Sequence, residues 1–162
     1  MKTLLVMRHA KSSWKEEGLD DHERPLSKRG KKDAPRMGEL LKEHDLVPDL
    51  ILSSSAVRAR HTAELAAEYC EYVGEIGGGR ELYSFASEDY LEALSRVDDD
   101  TQRVMVVGHN PGLEELLQWL TGVYASLPTA ALAVVRLNIN HWAELEEGGR
   151  GELVQVWRPK EL

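Results

Sequence analysis

The sequence contains little cysteine and no long apolar run. Cys70 is its only cysteine, which excludes a disulfide framework and a zinc site built from several cysteines. Ile76 stands six positions later, where a cysteine phosphatase would need an arginine. The N-terminal apolar run is too short for a signal peptide or a membrane span. We therefore expect one cytoplasmic domain over residues 1–162, with no membrane partner.

The chain also lacks an excess of positive charge: it has 20 lysines and arginines against 28 acidic residues, a formal net charge of −8. An acidic chain is a poor candidate for non-specific binding of nucleic acid. However, ten of the twenty lysines and arginines fall within the first 36 residues. This local excess is consistent with a bound anion and equally with a solvated basic face. The six histidines show no zinc-binding spacing, and no P-loop sequence is present, so we predict neither a metal nor a cofactor.

Short apolar runs alternate with amphipathic stretches along the whole chain. The runs predict strands at Thr3–Met7, Leu50–Leu52, Arg80–Tyr83, 104–107, Leu132–Leu137 and Leu153–Trp157. The last two runs are expected to pair antiparallel. Gly77–Gly79 is predicted to be a loop, and Pro35 is expected in the first turn of a helix or at a kink. This alternation predicts a single α/β domain, a three-layer α/β/α sandwich with a mostly parallel mixed sheet of about six strands.

Polar motifs follow three of these predicted strands. Arg8-His9 follows the first strand, Arg58 lies one turn after the second, and His109 follows the strand at 104–107. Ligands of open α/β sheets bind at the carboxyl ends of the strands, so the three motifs can meet in one crevice. Singly, each of these residues is more often structural or exposed; their shared position favours a site.

Arginine and histidine together suit phosphoryl transfer. The guanidinium group offers a planar, permanently charged fork that matches phosphate oxygens. Neutral imidazole is a competent nucleophile near pH 7, and neighbouring guanidinium groups should lower its pKa and keep it neutral. Because phosphoryl transfer depends mostly on positioning and charge stabilisation, these residue types predict a phosphatase that binds phosphate-like anions without a metal.

The motifs together resemble the histidine phosphatase superfamily, in its small bacterial SixA-like phosphohistidine phosphatase branch, whose fold is phosphoglycerate-mutase-like. Arg8–Ser12 resembles the family's Arg-His-Gly or Arg-His-Ala signature, and Asp21–Ser27 resembles the following motif of the SixA-like branch. Ser53–Ala63 resembles the motif with the second arginine, and Gly108–Gly112 resembles the motif with the second histidine. The motifs occur in the family's order between residues 3 and 113.

The resemblance implies that His9 becomes phosphorylated and that water then hydrolyses the intermediate. It implies phosphoryl binding by Arg8, Arg58 and His109, with Arg24 as a further candidate. One departure concerns the proton donor: Asn110 follows His109, where the acid phosphatase branch has an aspartate. The mutase-like branch uses a glutamate after the third strand, which makes Glu81 a candidate general acid.

The expected substrate is phosphohistidine carried on a protein of the phosphotransfer or phosphotransferase-system type, which implies a role in signal transduction. Two alternatives stay open at this point. One is a phosphatase for small phosphate esters, and the other is a non-catalytic module that binds phosphohistidine. The sequence leaves the partner and the oligomeric state undetermined.

Overall fold

A six-stranded mixed sheet forms the middle of the molecule in a computed structural model that describes residues 1–162. The strands are β1 (Lys2–Arg8), β2 (Leu50–Ser54), β3 (Ile76–Gly79), β4 (Arg103–Gly108), β5 (Leu132–Leu137) and β6 (Gly151–Trp157). Their order across the sheet is β3-β2-β4-β1-β5-β6. The first four strands in this order are parallel, and β5 and β6 run antiparallel, as the sequence predicted.

Four α-helices cover the sheet in two layers. They are α1 (Lys28–Glu43), α2 (Val57–Cys70), α3 (Ser87–Ser95) and α4 (Gly112–Thr121), with short 3₁₀ helices at Asp21–Glu23, Arg80–Leu82, Trp142–Glu147 and Pro159–Glu161. The fold is therefore the predicted three-layer sandwich. None of the helices combines the length and the hydrophobicity that a membrane-spanning helix needs.

Burial on both faces explains why β1 reads as an unbroken apolar run. Leu4 and Val6 belong to the core under α3 and α4, while Leu5 and Met7 belong to the core under α1 and α2. All four side chains are fully buried. Successive side chains of a strand point to opposite faces, so a central strand between two layers needs apolar residues at every position.

Two local predictions, the strand at Arg80–Tyr83 and the loop at Gly77–Gly79, were wrong. The third strand is Ile76–Gly79, and residues 80–82 form a 3₁₀ helix. Pro35 lies inside helix α1 and not in its first turn, so the kink stays a prediction. The glycine run looked like a loop because glycine has low strand propensity, but here the backbone pairs with β2 along the strand.

The packing of β3 against β2 requires glycine. Gly78 has a φ of +90°, and a Cβ there would lie 2.5 Å from the carbonyl oxygen of Ser53. A side chain would therefore clash with the backbone of the neighbouring strand. A Cβ on Gly30 would likewise clash with the carbonyl oxygen of Lys11. Because glycine has no side chain, α1 can lie close to the segment that follows β1.

Candidate active site

The three predicted motifs emerge from neighbouring strands at the same edge of the sheet. The strands β2, β4 and β1 are adjacent, with Arg8 paired to Gly108 and Ser53 paired to Val107. Because these strands are parallel, their carboxyl ends deliver His9, Arg58 and His109 to one pocket. The structure therefore brings together the residues that the sequence singled out.

His9 lies against Arg58 and His109 with its ring orientation fixed. Its Nδ1 lies 2.7 Å from the carbonyl oxygen of Ala10, and a carbonyl can only accept, so Nδ1 carries the hydrogen. Nε2 is consequently the unprotonated ring nitrogen, which holds the lone pair. The backbone is fixed as well, because the N–H of His9 donates to Gly108 and its carbonyl accepts from Ala130. This arrangement presents Nε2 as the nucleophilic atom.

The surroundings keep His9 neutral. Burial lowers its pKa to about 4, with further lowering by the charges of Arg58, Arg8 and Arg24, against a raising effect of the bond to Ala10. Arg58 also donates from Nε to His9 Nε2 at 3.4 Å. A cation next to the lone pair opposes protonation, and it is close enough to stabilise negative charge on a group attached to Nε2.

Arg58 and Arg24 converge on a single carboxylate, that of Asp21. Arg58 Nη2 donates to Asp21 Oδ2 at 2.9 Å, and Arg24 Nη1 donates to Oδ1 at 2.8 Å. Both arginines are buried, Arg58 in the first turn of α2 and Arg24 beneath the exposed ring of Trp14. The loop that carries Asp21 thus closes one side of the pocket.

His109 forms the opposite side. The centres of the His9 and His109 rings are 5.1 Å apart. Its Nε2 lies 2.8 Å from the hydroxyl of Ser54, and its backbone N–H donates to the hydroxyl of Tyr90. Burial lowers the pKa of His109 to about 3, and repulsion from a protonated His9 and from Arg58 adds to the effect. Its Nδ1 is buried and has no hydrogen-bond partner.

Arg8 is held by the segment before β5. Its Nη1 donates to the carbonyl oxygen of Leu127, while its buried Nε has no partner. Leu127 is fixed from two further sides, because Asn110 Nδ2 donates to the same oxygen and the N–H of Leu127 donates to Glu114. Asn110 therefore positions this segment, and its amide has no acidic proton to give.

Glu81 is not brought to the pocket. Its side chain is exposed and lines a separate cavity of about 430 Å³ with residues of β2 and α3, none of which is a predicted site residue. The carboxylate that does lie in the pocket is Asp21. Partial burial would raise the pKa of Asp21, but the hydrogen bonds from Tyr83, Arg58 and Arg24 outweigh this effect and hold that pKa well below its ordinary value.

Sequence reasoning did not single out Asp21, Ser54, Tyr83 or Tyr90. Asp21 and Ser54 fall inside the quoted motifs, and the spacing of Asp21 three positions before Arg24 was an available signal for an ion pair. Tyr83 follows β3, in the segment where the family resemblance implies a glutamate. Tyr83 and Phe85 both have ring centres 5.5 Å from that of His109, so aromatic rings wall this side of the pocket. Nowhere does the structure group three potential metal ligands.

The sequence and the fold are both similar to those of known histidine phosphatases. Residues 4–77 match the model of the histidine phosphatase superfamily (branch 1). A protein of Mycobacterium tuberculosis with no assigned function is 34% identical over 158 residues, covering 88% of this chain and 93% of that one. The crystal structure of a candidate phosphohistidine phosphatase SixA from Agrobacterium tumefaciens is 30% identical, covers 98% of both chains and has a TM-score of 0.82. The protein histidine phosphatase SixA complexed with tungstate shares the fold, with a TM-score of 0.81 at 23% identity over 98% of both chains.

Proposed function

The chain belongs to the histidine phosphatase superfamily, and from this premise we propose that it hydrolyses phosphohistidine carried on a protein. Phosphatase chemistry fits its family and its structural relatives. The observation that carries the proposal is the state of His9. Its Nε2 is unprotonated and accepts only a long hydrogen bond from Arg58, and its pKa is too low for protonation at neutral pH. These are the requirements of a nucleophile that accepts a phosphoryl group.

The proposed reaction has two displacements at phosphorus. First, His9 Nε2 forms a bond to phosphorus as the bond to the substrate imidazole nitrogen breaks, and that nitrogen takes up a proton from solvent, because the low pKa of His109 leaves its ring neutral. Then water attacks phosphorus, the bond to Nε2 breaks, and inorganic phosphate leaves while the proton of the water passes to solvent. Arg8, Arg24, Arg58 and His109 are proposed to bind the phosphoryl oxygens throughout.

None of the candidate proton donors is a protonated acid at the site, which supports phosphohistidine over a phosphate ester as the substrate. An alkoxide leaving group needs a positioned acid, which is typically worth about 10²–10⁴-fold in rate. Asp21 is ionised because its pKa is strongly lowered, Asn110 is an amide, and Glu81 lines a different cavity. Imidazole is a less basic leaving group than an alkoxide, so it tolerates the lack of a strong acid.

A basic surface next to the pocket supports a protein partner. A hollow of about 570 Å³ continues from the segments after His9 and Arg24 and is lined by exposed cations, namely Lys11, Lys15, Lys28, Arg29 and Lys31. Because opposite surface potentials speed encounter, this surface would favour a partner that is acidic around its phosphohistidine. Such a partner would place the protein in phosphotransfer signalling, and a cytoplasmic location stays a prediction.

A substrate comparison tests the proposal. We expect kcat/KM for a phosphohistidine-bearing phosphotransfer protein to exceed that for a phosphoserine peptide and for 3-phosphoglycerate by at least about tenfold, since only esters need the acid. All three substrates are measured in one buffer. If kcat/KM for a phosphate ester is higher by tenfold, the protein is a small-ester phosphatase instead. Binding without turnover of any substrate would indicate a non-catalytic module.

The nucleophile is tested by trapping the intermediate with ³²P-labelled substrate. The label should appear on His9 when the reaction is quenched at alkaline pH, where phosphohistidine survives. His9→Ala should lose several orders of magnitude in rate because the covalent route is removed. His44→Ala is the matched control, because His44 is exposed at the opposite end of α1. Label on another residue would end the assignment, and activity lost in EDTA would overturn the proposed independence from metal.

A further inference from the structure

Asp21 binds the arginines that the proposed reaction needs. Its two carboxylate oxygens accept from Arg58 Nη2 and Arg24 Nη1, at 2.9 and 2.8 Å, and the hydroxyl of Tyr83 donates to Oδ2 at 2.6 Å. Arg58 Nη1 donates in addition to the backbone oxygen of Asp21 at 2.7 Å. The carboxylate of Asp21 thus binds the guanidinium group of Arg58, which lies 37 residues away in the sequence. The same guanidinium group also contacts the proposed nucleophile, His9.

A phosphoryl group on His9 would require the same donors. Carboxylate and phosphate oxygens are both anionic acceptors that arginine binds through its fork. Each Arg58 nitrogen already makes a bond within the chain, and Arg24 is bonded to Ser12, Ser13 and Asp21. An entering phosphoryl group therefore either displaces the Asp21 carboxylate or lies next to it, and both cases oppose binding of a dianion.

We infer that Asp21 is an internal competitor for the phosphoryl group, which keeps both arginines oriented in the resting site and weakens the affinity of the pocket for phosphate. The inference rests on the proposed function only for the location of the phosphoryl site. In the reaction, this competition favours release of the product, because two buried arginines without a counter-charge would retain inorganic phosphate. Asp21 is thus a positioning residue that sets how tightly anions are held.

The position of Asp21 makes displacement feasible. Its side chain is 44% exposed, in contrast to the 4% of Arg58 and 9% of Arg24, so the carboxylate can move into solvent while the arginines stay. It belongs to a 3₁₀ helix of only three residues within the long loop between β1 and α1. The arginines have other partners as well: Ser12 and the ring of Trp14 hold Arg24, and the bond to His9 Nε2 holds Arg58.

The test measures binding of inorganic phosphate to Asp21→Asn by calorimetry. This substitution keeps the backbone oxygen that accepts from Arg58, removes the negative charge, and replaces one of the two acceptor oxygens with an NH2 group. We expect phosphate to bind at least about tenfold more tightly than to the unchanged protein. Asp20→Asn is the matched control: the adjacent carboxylate is exposed, makes no hydrogen bond through its side chain, and changes the net charge equally. It should shift the affinity by less than about twofold, as expected for a screened surface charge.

Kinetics provide a second readout. With a chromogenic phosphate ester, Asp21→Asn should lower KM and should not raise kcat, because an interaction shared by the ground and transition states changes binding alone. Tyr83→Phe removes one hydrogen bond that holds the carboxylate, so it should tighten phosphate binding by a smaller factor. This variant also tests the inference if Asp21→Asn fails to fold.

Unchanged or weaker phosphate binding in both variants would overturn the inference and would make Asp21 a simple anchor of the arginines. An equal change of phosphate affinity in Asp20→Asn would also overturn the inference, because net charge alone would then explain the effect. Because phosphate binding is measured without turnover, these outcomes do not depend on which substrate has the highest kcat/KM. The internal competitor and the phosphohistidine assignment can therefore fail separately.

Discussion

The two helical layers differ in charge. Helix α1 contains six lysines and arginines against three acidic residues, whereas α3 and α4 together contain five acidic residues and no lysine or arginine. The loop before α1 and the first turn of α2 also provide the pocket with Arg24 and Arg58. The layer of α3 and α4 contributes uncharged or indirect contacts, such as the Tyr90 hydroxyl on the backbone of His109.

The difference indicates a division of work between the layers. The α1–α2 layer contains groups that can bind an anion and a surface that can attract an acidic partner. The α3–α4 layer holds the framework, since Tyr90 fixes His109 and Glu114 fixes the segment that Arg8 contacts. Substitutions in the first layer should therefore change activity, and those in the second should change stability more than activity.

Among the substitutions that test this division between the layers, Arg58→Lys should give the largest effect. Lysine keeps the charge but loses the planar fork that contacts His9, so kcat/KM should fall by at least about tenfold, or roughly 1.4 kcal/mol of transition-state stabilisation. Arg60→Lys is the control, because Arg60 lies on the same helix but is exposed and bonds the carbonyl of Ile76. Equal activity in the two variants would show that Arg58 lies outside the reacting centre.

Tyr90→Phe tests the supporting layer. The buried N–H of His109 would lose its acceptor, which typically costs about 1–3 kcal/mol in the free energy of unfolding. Because His109 keeps its bond to Ser54, kcat/KM should fall by only about threefold or less. Urea denaturation and steady-state kinetics on one preparation compare the two quantities. A Tyr69→Phe control, at an exposed position, should change neither. A large loss of activity at unchanged stability would contradict the division between the layers.

The smallest effect is expected from the basic surface. Replacing Lys15, Lys28 and Lys31 by glutamine should lower kcat/KM for an acidic phosphohistidine protein by about two- to fivefold at low salt. The difference should vanish at high ionic strength, and a small chromogenic ester should not respond. Replacing Glu88 and Glu92 of α3 by glutamine is the counterpart on the acidic layer. A fall of the same size there would show that the basic surface is not where the partner binds.

The motifs and the strand pattern were sufficient to predict the sandwich and to place Arg8, His9, Arg58 and His109 at one edge of it. This succeeded because parallel neighbouring strands end on the same side, whatever the intervening loops do. The glycine strand β3 and the place of Pro35 were not predictable from propensity. For β3, backbone pairing with β2 outweighs the low strand propensity of glycine.

By itself, the sequence determined the residue types of a phosphoryl site, their order, and the strands after which they occur. Only the tertiary structure decided which carboxylate lies at that site, since Asp21 meets Arg58 across 37 positions and Ser54 meets His109 across 55. It also placed Glu81 in a different cavity from the predicted site residues. The physical reason is that periodicity and motifs report local geometry, whereas contacts between distant residues depend on how loops and layers pack over the sheet.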